Sequence, residues 1–502
     1  MIREGFSAEK YIEEQSKYIL ERIESGEGRL YLDFGGKLVQ DKHAMRVLPG
    51  FDENAKIKLL QKMKDQAEII ICIYAGDIVK SKTRQDFGIT YDLEVLRLID
   101  AFRSYDLEVN SVVVTRYEDA PSVNQFIAKL ERRGIRTYIH HFTKGYPTDV
   151  DTIVSEEGYG ANPYIEVTKP LVCLTGPGGG SGKLATSLSQ VYHEYKRGNK
   201  ARYAKFETFP VWNLPLKHPV NIAYEAATAD LKDVNIIDPF HLEAYGETAV
   251  NYNRDIDAFP VVRRILHAIT GADDYKSPTD MGVNRVGFGI IDDEACREAA
   301  VQEIIRRYLI AECSYRKGTI DETTLERCKL LMEEVGATKY DRPAVKAAED
   351  YAEIKRAENP DRYENVVVAA MEVPDGTIIT GRSSRRMVAT AAMVLNGLKH
   401  LAGIQDDMPI ISPTIFEAMA GTKAGIFRDK SSLNIEEVIM ALTLTKLTNP
   451  FAELALREIP NLQGCVAHCT AILSEKDEQA LKALGIDITS NPEFSNNNLY
   501  SK

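Results

Sequence analysis

The chain has 502 residues, 44% hydrophobic and 27% charged, with a formal net charge of −12 at pH 7. That length allows about two to four domains, each with its own core, and the acid excess speaks against general attraction to nucleic acid or to an anionic membrane. No run approaches the roughly 20 apolar residues of a membrane span, and the amphipathic N-terminus lacks a signal-peptide core, so a cytoplasmic setting is expected.

Ser7 is placed to cap a helix over 8–22, where Tyr11, Ile12, Tyr18 and Ile19 recur near helical spacing. Residues 29–34 read as a strand entering Gly35-Gly36-Lys37, with Asp33 just before it. That turn is either plain chain reversal or a second place where backbone meets a ligand. Residues 57–64 are expected as helix, and 68–75 as a nearly continuous apolar strand, the pattern of a parallel sheet covered on both faces. It ends at Gly76-Asp77, and an acid at the carboxyl end of such a strand is a candidate for magnesium or substrate contact. Asp77 capping the next turn is the competing reading. Helix 92–105, strand 108–115, helix 121–133 and strand 135–140 continue the alternation that builds parallel sheets by right-handed crossovers. His140 and His141 close the last strand. Neighbouring strand positions face opposite sides, so the two do not make a paired metal site.

Residues 170–175 are apolar, the stretch from Gly176 to Gly182 holds five glycines in seven residues, and Lys183 opens a helical pattern. Strand, glycine loop and helix in that order form an anion site, because consecutive N–H groups can converge on one oxyanion and the helix start adds its own donors and positive dipole end. Gly176, Gly178, Gly179, Gly180, Ser181, Gly182 and Lys183 are therefore the predicted phosphate-binding residues. Known fingerprints fit incompletely. A P-loop requires glycine where Pro177 stands and a hydroxyl where Leu184 stands, and the dinucleotide pattern fails at Ser181. The alternative is a glycine-rich turn that packs a helix on a sheet.

Strand 201–206, helix 221–231 and a short strand over 234–238 follow. Asp238 at its end competes with Asp77 for a magnesium ion. Four helical segments over 259–269, 292–313, 321–334 and 342–357 mark a helical region, with a polar loop over 277–289 between the first two. A hairpin around Pro374-Asp375-Gly376 leads to Arg382, Ser383 and Ser384 ahead of a helix over 387–401. There arginines and hydroxyls either grip phosphate or carboxylate, or simply cap and solvate a helix start. In a strand over 464–473, Cys465 and Cys469 share a face that His468 does not, a poor arrangement for zinc. The seven scattered cysteines show no disulfide spacing, and the Asn- and Ser-rich last dozen residues read as a frayed tail.

The stretches LVCLTGPGGGSGKLAT, FPVWNLPLKHPVNIAYEAATADL, SPTDMGVN and DGTIITGRSSRRM resemble a bacterial family catalogued as domain of unknown function 1846, over nearly the full length. The resemblance implies a multidomain cytoplasmic α/β protein with N- and C-terminal conserved regions, and it transfers no reaction. The expected architecture is α/β, with an N-terminal, mostly parallel sheet carrying a P-loop-like glycine loop (1–240), a helical region (241–358) and a C-terminal α/β domain (359–502). The expected function is binding of a nucleotide or phosphorylated small molecule, with Mg²⁺, and phosphoryl-group or phosphate-ester chemistry using Lys183, Asp77 and Asp238. The alternative is a non-catalytic nucleotide or anion sensor, or a homo-oligomeric structural protein.

Overall fold

The fold was obtained as a computed structural model, and the structure describes residues 3–84, 88–426 and 431–495. Part of the tail expected to fray lies outside them. The chain divides into two compact units between Ala300 and Val301, inside the helix Asp293–Arg316.

The first unit is built on seven parallel strands, β1 (Arg29–Phe34), β2 (Ala67–Tyr74), β3 (Glu108–Thr115), β4 (Arg136–His140), β5 (Leu171–Thr175), β6 (Ala201–Phe206) and β7 (Gly282–Val283), in the order β7-β6-β1-β5-β2-β3-β4. β2 and β5 are buried almost throughout, which is why their sequences are continuous apolar runs instead of alternating ones. Leu188 and Val191 of the helix Lys183–Lys196 pack with Tyr31, Ile70, Val172 and Leu174 of the sheet. Each such fully buried side chain contributes about 1.5–3 kcal/mol. Near its other end the helix is tied down by Glu194, whose carboxylate accepts from Arg29 at 2.7 Å, Tyr31 at 2.9 Å, Tyr164 at 2.8 Å and Asn199 at 2.9 Å. Ser7 caps the helix Ala8–Glu24 by accepting the Lys10 N–H. The stretch after Ser277, expected as a polar loop, carries the short helix Pro278–Met281 and the edge strand β7, held by parallel pairing with Lys205 and Phe206 of β6.

The strand order sets where a ligand can enter. β5 lies between β1 and β2, and from it the chain crosses back over β1 to β6, whereas β2 leads the other way to β3. Right-handed crossovers in opposite directions fall on opposite faces, so the loops diverge at the carboxyl ends of β5 and β2. This is the crevice where open α/β sheets bind ligands.

The second unit contains a mixed four-stranded sheet, β8 (Val368–Glu372), β9 (Ile378–Arg382), β10 (Val466–Cys469) and β11 (Asp487–Ser490), in the order β9-β8-β10-β11. Only β10 and β11 run parallel. One face packs Met371, Cys465, Ala467 and Cys469 with Met393, Leu398, Val438 and Leu442 from the helices Ala389–Leu401 and Ile435–Thr445. The other packs Val368 and Ala370 on Ala348 and Ala352 of the helix Pro343–Glu358. All seven cysteines are buried thiols outside any disulfide. Among the described residues no helix is long and apolar enough to cross a membrane.

Candidate functional site

The glycine loop occupies the switch point. Its carbonyls are drawn outward: Thr115 at the end of β3 donates its hydroxyl to Ser181 O at 2.8 Å, and the Arg116 guanidinium donates to Gly180 O. In a trans peptide the N–H points opposite to the C=O, so these two bonds turn the N–H groups of Ser181 and Gly182 the other way. Arg116 holds its position with a φ of +47° and its guanidinium 3.5 Å from the centroid of the Tyr74 ring. Gly182, at φ +92°, is the N-cap of the helix Lys183–Lys196 and offers no side-chain cap. The first N–H groups of the helix therefore have no intrahelical partner. Ser181 is 1% exposed, and its hydroxyl has no hydrogen-bond partner. The Lys183 ammonium makes neither a hydrogen bond nor an ion pair with any described residue. An uncapped helix start, a buried hydroxyl and an unpaired ammonium thus meet at one place.

A row of charge continues from the loop along the sheet edge. Asp33 of β1 stands in register with Leu174 on one side and Lys205 on the other. Burial raises its carboxyl above the usual carboxylate range, opposed by Lys183 and Lys205 and reinforced by Asp255. Lys205 bonds Tyr252 and both oxygens of Asp255, and it pairs with Glu207 at 2.7 Å. Glu207 is also raised, by burial first and by Asp255 in addition, against the pull of Lys205. Beneath the loop, burial pushes the Cys72 thiol up to about 12 despite its hydrogen bond with Thr186. It is not a nucleophile at neutral pH.

The family model for the N-terminal domain of unknown function DUF1846 matches residues 4–336, and that for the DUF1846 C-terminal domain matches 340–500. The chain belongs to the DUF1846 family. It is 61% identical over 501 residues to a protein called "UPF0371 protein" from Clostridium botulinum (strain Langeland / NCTC 10281 / Type F), covering 99% of both chains. It is 60% identical over 499 residues, again 99% of both chains, to the "UPF0371 protein" of the Alaska E43 / Type E3 strain.

The other residues singled out in the DUF1846 sequence are differently placed. Asp238 is fully buried, and its two oxygens accept from the N–H groups of Phe240 and His241 and from the N–H and hydroxyl of Thr279. Four donors fill its acceptor sites, so it serves as a helix cap. Asp77 lies in the short helix Ala75–Val79 with Lys82 3.5 Å away. Lys82 in turn sits over the Tyr91 ring, whose hydroxyl is 2.4 Å from where a Cβ on Gly178 would stand. Lys82 and Tyr91 thus link Asp77 to the loop. Among the described residues no three His, Cys, Asp or Glu side chains are grouped to hold a metal ion.

Arg382, Ser383 and Ser384 belong to the second unit. The Ser383 hydroxyl accepts the Val367 N–H, the Ser384 hydroxyl accepts those of Arg386 and Met387, and Arg382 lies over the Tyr363 ring. Ser383 thus extends strand pairing and does not cap the helix, which begins at Ala389. Burial holds the His140 pKa down at about 4, against the raising effect of its 3.1 Å hydrogen bond to Pro163 O, and the backbone N–H of His141 bonds Asn162. A hollow of about 830 Å³, lined by Ser81, Gln125, Lys129 and Arg132 among others, includes no residue of the glycine loop. Its cations stand at the end of the helix Pro121–Glu131, where they offset the dipole, and the loop, with its unpaired groups, is the better candidate. Thr115, Arg116, Lys205, Glu207 and Asp255 had not been singled out. For Lys205 and Glu207 the usable signal was the one applied to Asp77, a charge at the carboxyl end of a strand.

Proposed function

We propose that the protein binds the phosphate of a nucleotide or phosphorylated small molecule at Gly178–Gly182, and that phosphoryl-group or phosphate-ester chemistry takes place there. The observation that carries this reading is the meeting of the uncapped helix start, the unpartnered Ser181 hydroxyl and the unpaired Lys183 ammonium at the switch point. Each is a donor, and a phosphate group supplies the acceptors all three lack. Lys183 would neutralise charge as phosphate oxygens move, the main demand that phosphoryl chemistry makes of a protein. Leu184 offers no hydroxyl to a metal, so Mg²⁺ would come with the nucleotide, held chiefly by phosphate oxygens and water. Of Asp77 and Asp238, the two acids the sequence offers for that metal, Asp238 is filled by four donors, which leaves Asp77 as the one that could assist. The Arg382–Ser384 turn is not needed for this reading, since its hydroxyls are already engaged.

A second reading, a structural homo-oligomer whose glycine loop serves packing, has specific support. A Cβ on Gly176, Gly178 or Gly182 would stand within 3 Å of a neighbour, and Met440, Leu444, Leu447, Phe451 and Leu454 are exposed at spacings of three and four. The two readings separate in a thermal-shift screen of nucleotides, sugar phosphates and inorganic phosphate, with and without Mg²⁺, beside Lys183→Ala. Ligand at a hundred times its Kd adds about 2.7 kcal/mol to the native state. The phosphate reading expects such a shift and its loss in the variant, worth about 1.5–3 kcal/mol of binding. A cooperative melt that no phosphate compound moves would leave the packing reading.

A further inference from the structure

Asp33 is a second unsatisfied group at this edge, and it asks for the opposite partner. It is 5% exposed; its Oδ1 is buried without a hydrogen bond, and no described residue donates to its other oxygen. The charged and titratable groups around it are Lys183, Lys205 and Asp255, with Cys72 and Tyr203 also within electrostatic reach. The two lysines favour the ionised form, yet neither bonds it: Lys205 is taken by Asp255, Glu207 and Tyr252, and the Lys183 ammonium bonds nothing described. An ionised carboxyl group only accepts, and leaving it buried without a donor is costly. The missing partner is therefore a donor, and with two cations already beside Asp33 a neutral hydroxyl suits it better than an ammonium.

Asp33 and the glycine loop stand on adjacent strands, β1 and β5, which run about 5 Å apart. We infer that the ligand is a phosphomonoester carrying a free hydroxyl a few bonds from phosphorus, its phosphate on the glycine loop and its hydroxyl donating to Asp33. The inference rests on the phosphate reading above and narrows it to polyol and sugar phosphates, including the ribose end of a nucleotide.

The test is calorimetric titration of the full-length protein with inorganic phosphate, propyl phosphate, glycerol 3-phosphate and ribose 5-phosphate, in EDTA and again with Mg²⁺. Wild type, Asp33→Leu and Asp33→Asn are compared. Leu keeps much of the shape without the polar atoms, and Asn keeps one acceptor, so a folded variant is available for comparison. In EDTA, wild type is expected to bind at least one hydroxylated ester about tenfold more tightly than propyl phosphate. Asp33→Leu should abolish that preference while holding inorganic phosphate within about threefold of wild type, and Asp33→Asn should keep part of it. Equal binding of propyl phosphate and both hydroxylated esters by wild type, or an unchanged preference in Asp33→Leu, would overturn the inference and leave Asp33 to water. A preference seen only with Mg²⁺ would overturn it too, assigning Asp33 to the metal. Failure of wild type to bind even inorganic phosphate and propyl phosphate would instead overturn the phosphate reading beneath it.

Discussion

His468 of β10 is fully buried beside β11, with Nδ1 2.9 Å from Thr489 Oγ1 and Nε2 3.1 Å from Asn491 Oδ1. Burial holds its pKa down at about 4, from an ordinary 6.5. Below pH 6.5 the unfolded chain therefore takes a proton that the folded chain refuses. Stability is complete above 6.5 and falls as pH drops toward 4, by up to about 3 kcal/mol from this residue. His468→Gln should flatten that part of the pH dependence, read as urea midpoints between pH 7.5 and 4.5; an unchanged slope would mean that His468 does not set it. The raised carboxyls Asp33 and Glu207 act in the opposite sense, favouring the folded state as pH falls through their folded pKa values. Residues of this kind divide by how local their signal is. Lys183 could be found because loop and helix are contiguous, and the opposed faces of His468 and Cys465 followed from strand alternation. Asp33 was visible only as an acid before a turn. What gives it meaning is that β1 lies beside β5, a pairing across some 140 residues. Asp238 fits two descriptions, an acid closing a strand and a cap before Pro239, and only its neighbour Thr279, 41 positions on, decides between them.

At the scale of the element, the glycines of the loop are not equivalent. Gly182 combines φ +92° with Thr115 atoms 2.7–2.8 Å from where a Cβ would stand. Gly179 has neither constraint: its φ is ordinary, and nothing lies within 4 Å. Gly182→Ala should cost at least about 2 kcal/mol of stability in urea denaturation. Gly179→Ala should leave stability within about 0.5 kcal/mol yet weaken phosphate binding tenfold or more, because its methyl group would stand where a ligand approaches. Wild-type phosphate affinity in Gly179→Ala would count against a ligand over that residue. The elements themselves were largely legible. β1, β3, β6 and the start of the helix at Lys183 fall where apolar runs and turn residues put them, since each signal is carried within a few residues. The edge strand β7 was missed, because Gly282-Val283 is too short for a pattern and depends on β6 for its hydrogen bonds. The helix Asn253–Thr270 starts about a turn and a half before the expected 259, and Pro260 lies inside it.

For the whole molecule, the sequence families and the packing divide the chain at different points. The family models part at 336/340, whereas compactness parts the chain at 300/301. The intervening residues hold Arg306, which pairs with Asp487 at 2.7 Å, Cys313, which bonds Ser490 O, and the buried Ile304, Ile305 and Leu309. A fragment 340–502 would lose all of these, including the ion pair between Arg306 and Asp487, while keeping the one between Arg342 and Asp487. It should be at least about 2 kcal/mol less stable than a fragment 301–502, as compared by urea unfolding. Equal stabilities would support the sequence boundary.

The buried cysteines add a chemical clock to both units. Cys72, Cys173 and Cys296 lie in the first unit, and Cys313, Cys328, Cys465 and Cys469 in the second. With no thiol at the surface, alkylation by iodoacetamide cannot occur until the backbone around a cysteine opens, so its rate counts opening events one site at a time. Cys72 lies under the glycine loop and Cys469 in the core of the other unit. Their relative labelling, followed by mass spectrometry with and without phosphate, would show which unit a bound ligand holds closed.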